Sequence, residues 1–367
     1  MKNNRTFLEK LLDGAEVEWK PLSLVTEMQR GKTITAKSAN EGKIPVISGG
    51  QKPAYYHSES NRDGKTITVA GSGAYAGYIM YWEEPIFVSD AFSIKTDESL
   101  LQIKYVYHFL LQNQQKIYAM KKGSGVPHVY PKDIGTLTIP IPPLSVQIEI
   151  VKILDALTAL TSELTSELTS ELILRQKQYE YYREKLLSFD SLEQLNSGGG
   201  KKKLIDVAKI KNGKDWKHLE EGNIPIYGSG GIMGYVDTYS YDKPTVLIPR
   251  KGTITNIFYL EEPFWNVDTI YYTEIDTTQI LPKYFYHFMK TVDLTKLDTG
   301  SGRPSLTQAI LNEIPIFVPS IEEQQRIVSI LDKFETLTNS ITEGLPLAIE
   351  QSQKRYEYYR ELLLSFS

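Results

Sequence analysis

The chain has 367 residues, 41% hydrophobic and 23% charged, with no cysteine and a formal net charge of −4. That length calls for two or more domains. The missing thiols exclude disulfides and thiolate zinc sites and fit a reducing compartment, and the acidic balance excludes a uniformly basic nucleic-acid binder. No apolar run nears the roughly 18 residues of a membrane span. Met1 to Thr6 lacks the apolar stretch of a signal peptide, so a cytoplasmic location is expected.

Residues 1–18 form an N-terminal segment in which Phe7-Leu-Glu-Lys-Leu-Leu12 resembles Arg183-Glu-Lys-Leu-Leu187, and it is expected to pack on helix ends. A first globular part, 19–143, carries 14 Lys+Arg against 10 Asp+Glu, a basic excess. Ile44-Pro-Val-Ile-Ser-Gly-Gly50 predicts a short strand entering a glycine turn. Thr66 to Gly71 and Pro85 to Phe92 predict two more strands, the first running into Ser72-Gly-Ala-Tyr-Ala-Gly77. Lys104 to Leu111 predicts a helix, and Gly123-Ser-Gly-Val-Pro-His128 a loop. Ile139-Pro-Ile-Pro-Pro-Leu144 is extended and ends where a long helix, 144–189, begins. Apolar residues recur there at three- and four-residue steps: Ile150, Ile153 or Leu154, Leu157, Leu160, Leu164, Leu168, Leu172. The middle of this helix repeats Thr161-Ser-Glu-Leu three times. Four residues slightly exceed a 3.6-residue turn, so the leucine stripe drifts around the axis. At 1.5 Å per residue the rod is roughly 65 Å long, and a second such helix is its natural partner.

That second helix is present, at 320–367. Gln353-Lys-Arg-Tyr-Glu-Tyr-Tyr-Arg-Glu-Leu-Leu-Leu-Ser-Phe366 repeats Gln176 to Phe189 at an offset of 177, with 12 of 14 positions identical. Gly344 and Pro346 interrupt it, which predicts a kink near Leu345. Between the helices, 190–203 has the composition of a linker. A second globular part, 204–319, then repeats the first: Ile224-Pro-Ile-Tyr-Gly matches the strand at Ile44, Asp268 falls on Asp90, and Lys283 to Met289 matches the helix at Lys104. Its balance is 11 Lys+Arg against 14 Asp+Glu. The fold class follows: α+β, with two similar α/β domains separated and joined by two long antiparallel coiled-coil helices. The repeat is cyclically permuted with pseudo-two-fold character, so the termini should lie close together.

Nothing in the sequence forms a Walker loop, a methyltransferase Pro-Pro-aromatic motif, a catalytic triad or a metal cluster. His108 and His287 occupy matching helix positions, which points to packing. Glu163, Glu167 and Glu171 form a ridge that is either a solvated face or a contact for a basic partner. The loops differ between the copies while the scaffold repeats, as expected for two readers of different targets. Glycine turns with Lys, Arg, Asn, Gln and Tyr suit phosphate contact and base reading. The candidates in the first part are Arg30, Lys32, Gly49, Gly50, Gln51, Tyr75, Lys121, Lys122, Ser124 and His128. Those in the second are Lys211, Lys214, Tyr227, Ser229, Arg250, Lys251, Asn256, Ser301, Arg303 and Gln308. A two-lobed coiled-coil protein–protein scaffold without a DNA role is the alternative that the repeat and helices alone permit.

The Gly-Ser-Gly loops, the helix starts Ile139-Pro-Ile-Pro-Pro-Leu144 and Glu322-Glu-Gln-Gln-Arg-Ile-Val328, the Tyr-Glu-Tyr-Tyr-Arg tails and the central tetrapeptide repeats, in this order, resemble the specificity subunit of type I restriction–modification enzymes. The resemblance covers nearly the whole chain. It departs at Ser145-Val146-Gln147, where the second copy has Glu322-Glu323-Gln324. It implies two target-recognition domains that read the halves of a split, asymmetric DNA site. It also implies a helical spacer that docks two adenine-methyltransferase subunits, with motor–nuclease subunits completing the complex. By the same resemblance the chain is non-catalytic and holds no cofactor, S-adenosylmethionine, ATP and Mg belonging to the partners.

Overall fold

The computed structural model describes residues 6–194, 199–299, 302–340 and 343–366. The chain divides into two compact units, Met1–Glu167 with Ile349–Ser367, and Leu168–Ala348. Among the described residues no helix is long and apolar enough to cross a membrane.

In unit 1 an antiparallel sheet runs in the order Glu27–Arg30, Ala91–Lys95, Thr66–Ala70, Ile79–Trp82. All five residues of Thr66–Ala70 are buried, so this strand is covered on both faces. A second sheet places Ile44–Ile47 between Tyr55–His57 and Phe87–Val88, the latter pair parallel. The stretch read as one strand over 85–92 is therefore two strands in two sheets. At Ser89 and Asp90 the chain changes partner: Ser89 N donates to Ile47 O at 2.8 Å, and Ala91 O accepts from Gly31 N at 2.9 Å. Gly31 lies so close that a Cβ would collide with the Ser89 carbonyl.

The helix Ile103–Gln112 buries Tyr105, Val106, Phe109 and Leu110, one face of a 3.6-residue period. Buried Tyr105 satisfies its hydroxyl on Pro140 O at 3.0 Å. The ribbon Glu18–Pro21 with Thr138–Ile141 delivers the chain to the long helix, Leu144–Leu187. Its first turn is locked by Gln147, which is fully buried. The Gln147 amide donates to Leu100 O (3.1 Å) and Pro142 O (2.8 Å) and accepts from Gln102 N (2.9 Å). Val146, Ile150 and Leu154 then share one core with Leu8, Leu363 and Leu364, drawn from both ends of the chain.

The leucine stripe behaves differently in the repeat region. Leu160 and Leu164 are 60% and 38% exposed, and no residue from 155 to 178 is fully buried. A stripe buried along its whole length is thus not what forms.

Unit 2 repeats these elements. One sheet runs Ala208–Lys211, Ile270–Ile275, Thr245–Pro249, Phe258–Leu260, and the other places Ile224–Gly228 between Gly231–Val236 and Trp265–Asn266. Gln324 repeats Gln147, accepting from Leu281 N (2.7 Å) and donating to Gln279 O (3.0 Å) and Pro319 O (2.9 Å). The departure at Ser145-Val146 therefore leaves the lock itself unchanged.

The segment expected as a linker is structured where it is described. Phe189–Gln194 is a helix with Leu192 fully buried, and Gly200–Lys203 pairs with Pro315–Val318. Its lysines are taken up locally: Lys201 by Glu193 (2.6 Å), Lys203 by Glu313 (2.5 Å) and Lys202 by Gln279. Residues 195–198 of that segment lie outside the described residues. The helix Phe7–Leu12 corresponds to Phe189–Gln194, each opening on phenylalanine, rather than to the long-helix tail at 183–187.

The second long helix is broken, as Ile321–Asn339 and Gly344–Leu364. The break falls just before Leu345. Gly344 has φ +78°, and a Cβ there would sit 2.6 Å from the carbonyl oxygens of Thr336 and Leu337. Pro346 falls in the first turn of the new segment, where it removes no helical hydrogen bond.

Candidate nucleic-acid interface

Each unit gathers its glycine loops at one end of its sheets. In unit 1 the loop after Thr66–Ala70 is joined to the loop at 121–128 by Gly73 N to Pro127 O (3.0 Å) and Val129 N to Gly71 O (3.0 Å). Lys122 and His128 exchange backbone hydrogen bonds at 2.8 and 2.9 Å. Gly49 approaches the Ser72 carbonyl from the turn after Ile44–Ile47. Beside them a depression of about 180 Å³ is lined by Arg30, Gly31, Asp90, His128 and Tyr130, among others. The His128 and Tyr130 rings stack at 6.0 Å, and the Arg30 guanidinium lies over Tyr130 at 5.6 Å. Ser72 Oγ donates to Asp90.

The first-part candidates fall into two groups. Arg30, Lys32, Gln51, Tyr75 and Ser124 are exposed, with Gly50 partly so. Lys121 and Lys122 are engaged: Lys121 donates to Ala74 O (3.0 Å) and covers the Tyr118 ring, while Lys122 pairs with Asp133 at 2.8 Å. Both lysines therefore brace the loop, and Lys122 is already neutralised.

Unit 2 joins its corresponding loops by Gly252 N to Pro304 O (3.1 Å) and Leu306 N to Arg250 O (2.8 Å). Asn256 donates to Ser229 O at 3.1 Å, so its amide holds two loops together. Arg250 donates to Asp268 O (3.3 Å) over the Tyr271 ring, and Lys251 Nζ is 3.8 Å from the Asp268 carboxylate. Lys214 and Arg303 are exposed, and Lys211 pairs with Glu274 at 3.3 Å. Gln308 opens the short helix Gln308–Asn312, capped by Thr307. Tyr227 is not a loop residue: it is half-buried against Phe258 and Phe264, and burial raises its hydroxyl pKa. Ser301 lies outside the described residues. Asp90, Asp268 and Tyr130 were not singled out from sequence as contact residues, although the alignment of Asp268 on Asp90 was visible.

Behind the loops, both units use the same pin between a short helix, Ile103–Gln112 or Pro282–Met289, and a long helix. His108 Nε2 donates to Asp155 Oδ1 (2.9 Å), and Lys104 Nζ to Asp155 Oδ2 (2.9 Å). His287 and Lys283 do the same to Asp332, at 2.9 and 2.7 Å. Burial lowers the pKa of both histidines and outweighs the nearby carboxylate, so they are neutral. Burial pushes Asp155 up, but the hydrogen bonds from His108 and Lys104 prevail and its pKa is lowered overall. The copies then diverge. In unit 2 Tyr179 Oη lies 3.3 Å from His287 Nδ1, and Tyr286 donates to Glu335. In unit 1 threonine replaces that glutamate, and the Tyr356 hydroxyl meets Thr158 Oγ1 at 3.0 Å. His108 Nδ1 is left buried without a partner among the described residues. His287, Asp332 and Glu335 have metal-ligand types in one place. Their contacts to Lys283, Tyr179 and Tyr286 already satisfy them as a structural network.

Two sheets, a buried helix and a divergent loop cluster, repeated and carried on long helices, define a class of duplicated proteins with matching scaffolds and unlike loops. A family model described as the type I restriction modification DNA specificity domain matches residues 16–173 and 196–351, so the chain belongs to that family. It is similar to a type I restriction enzyme specificity subunit of Haemophilus influenzae, 43% identical with all of both chains covered. It is also similar to the EcoR124I/EcoR124II specificity subunit of Escherichia coli, 31% identical over 98% of this chain and 97% of that one. The fold matches a chain from a solved type I restriction–modification assembly, with a TM-score of 0.68 at 14% identity, covering 96% of this chain and 98% of that one. It also matches the S subunit of M. genitalium, with a TM-score of 0.54 at 23% identity and 96% of each chain covered.

Proposed function

We propose that the chain is the non-catalytic, sequence-reading subunit of a type I restriction–modification complex. The loop end of each unit reads one half of a bipartite, asymmetric duplex site. The long helices set the unread gap and hold two adenine-methyltransferase subunits, and motor–nuclease subunits complete the complex. S-adenosylmethionine, ATP and Mg act on those partners.

The observation that carries this reading is selective divergence. The buried lock and pin are the same in both units: Gln147 and Gln324, His108–Asp155 and His287–Asp332. The exposed loops they support share little, Gly71-Ser-Gly-Ala-Tyr75 standing where Pro249-Arg-Lys-Gly-Thr253 stands in the other copy. A packing scaffold kept constant under variable loops is how one fold serves two targets. Partner docking is supported by Tyr181 and Tyr182, 58% and 41% exposed, and by Tyr358 and Tyr359, 61% and 41% exposed. Paired exposed tyrosines at equivalent positions of both helices suit a partner bound twice.

The test is gel shift of the chain with its methyltransferase partner across a salt series, joined to adenine-methylation mapping in the host. A sequence-selective complex with a steep salt slope and one bipartite methylated motif is expected. A complex indifferent to sequence and salt overturns the reading.

A further inference from the structure

We propose that the depression at the loop end of unit 1 reads a single G·C pair, with Arg30 donating to guanine and Asp90 accepting from the cytosine amino group. The inference rests on the base-reading function proposed above and specifies the chemistry of one position in it. A carboxylate facing a phosphate polyanion is repelled, so Asp90 is an unexpected residue for this surface unless it has a donor to meet. It is exposed and held by the Ser72 hydroxyl. A hydroxyl orients a carboxylate without cancelling its charge, and Asp90 Oδ1 has no hydrogen-bond partner among the described residues. Arg30 lines the same depression, steadied over the Tyr130 ring at 5.6 Å, and makes no ion pair among the described residues. The depression thus presents a fork of donors and an acceptor that do not consume each other.

That pattern matches one base pair in the major groove. Guanine offers the acceptors N7 and O6, which a guanidinium meets with two parallel bonds, and cytosine offers the N4 amino donor, which a carboxylate accepts. Against A·T the same groups fail: the adenine amino group confronts the guanidinium, and thymine O4 confronts the carboxylate. Unit 2 carries Asp268 at the equivalent place but alters both halves of the pattern. Lys251 stands within 3.8 Å of its carboxylate, and Asn212 precedes the glycine where Arg30 precedes Gly31.

The experiment uses the full chain copurified with its methyltransferase subunits. Relative affinities are measured by competition over duplexes in which each half-site position is changed in turn to all four pairs. The wild type is expected to require G·C at one position of one half-site. Asp90→Asn should weaken that preference at least about 10-fold and leave other positions unchanged, and Arg30→Gln should relax the same position. Ratios within one preparation remain readable when absolute affinity falls. Unchanged ratios in Asp90→Asn, or different positions relaxed by the two variants, would sink the G·C assignment while leaving base reading intact. A wild type without any sequence preference removes the base-reading function itself, and this inference with it.

Discussion

At the residue scale, position on the fold separates contact groups from braces. Arg303 projects from an exposed loop, whereas Lys122 and Lys211 are spent on Asp133 and Glu274. If Arg303 reads a base, Arg303→Ala relaxes discrimination at one position of the second half-site by about 1–3 kcal/mol. Selection from a randomised duplex pool checks this, and an equal loss on every sequence would mark a phosphate contact instead. Residue types in glycine loops were legible as candidates. Their engagement was not, because whether Asn256 faces solvent or holds Ser229 O depends on a loop 27 residues distant.

At the scale of elements, the helices Ile103–Gln112 and Pro282–Met289 and the long-helix starts were legible because their apolar spacing is strong and local. The change of sheet at Ser89 and Asp90 was hidden, since a polar pair between Ile86-Phe87-Val88 and Ala91-Phe92 does not tell which sheet each apolar run joins. The lysine-rich stretch 201–203 looked like linker because the carboxylate of Glu313 and the amide of Gln279 that engage its lysines come from far along the chain. Gln147 was visible only as the position shared with Gln324 beside the departure at Ser145-Val146, yet it ties three backbone groups to the helix start. Gln147→Ala strands them and should cost about 2–4 kcal/mol, as should Gln324→Ala, measured by urea unfolding.

The pins carry a pH dependence. His108 and His287 are held below the ordinary histidine pKa of 6.5 when folded. Below that pH the unfolded chain binds protons that the folded chain resists. Their contribution is complete above pH 6.5 and declines as the pH falls toward the folded values. Thermal midpoints should drop on acidification through this window, and less steeply in a His108→Gln, His287→Gln double variant. An identical slope in both proteins counts against the pins as its source.

At the scale of the whole molecule, the tetrapeptide repeat is the natural place for evolution to adjust spacing. One Thr-Ser-Glu-Leu unit adds roughly 6 Å of helix, against about 3.4 Å per base pair. Its side chains tolerate a change of number because none of them is fully buried. Deleting one unit should shorten the unread gap by about one or two base pairs and leave both half-sites as they were, which methylome sequencing reads directly. An altered half-site with an unchanged gap rules the spacer role out.

Unit 1 closes its core with Leu363 and Leu364, whereas unit 2 is drawn from one continuous stretch, Leu168–Ala348. On the ribosome, then, the lobe begun first is the last to be sealed, and the later one can mature ahead of it. Removing residues 349–366 should leave unit 1 open to limited proteolysis while unit 2 stays resistant. Nascent chains would thus carry a half-built reader until Leu363 and Leu364 have been made, a window in which chaperone capture has something to recognise.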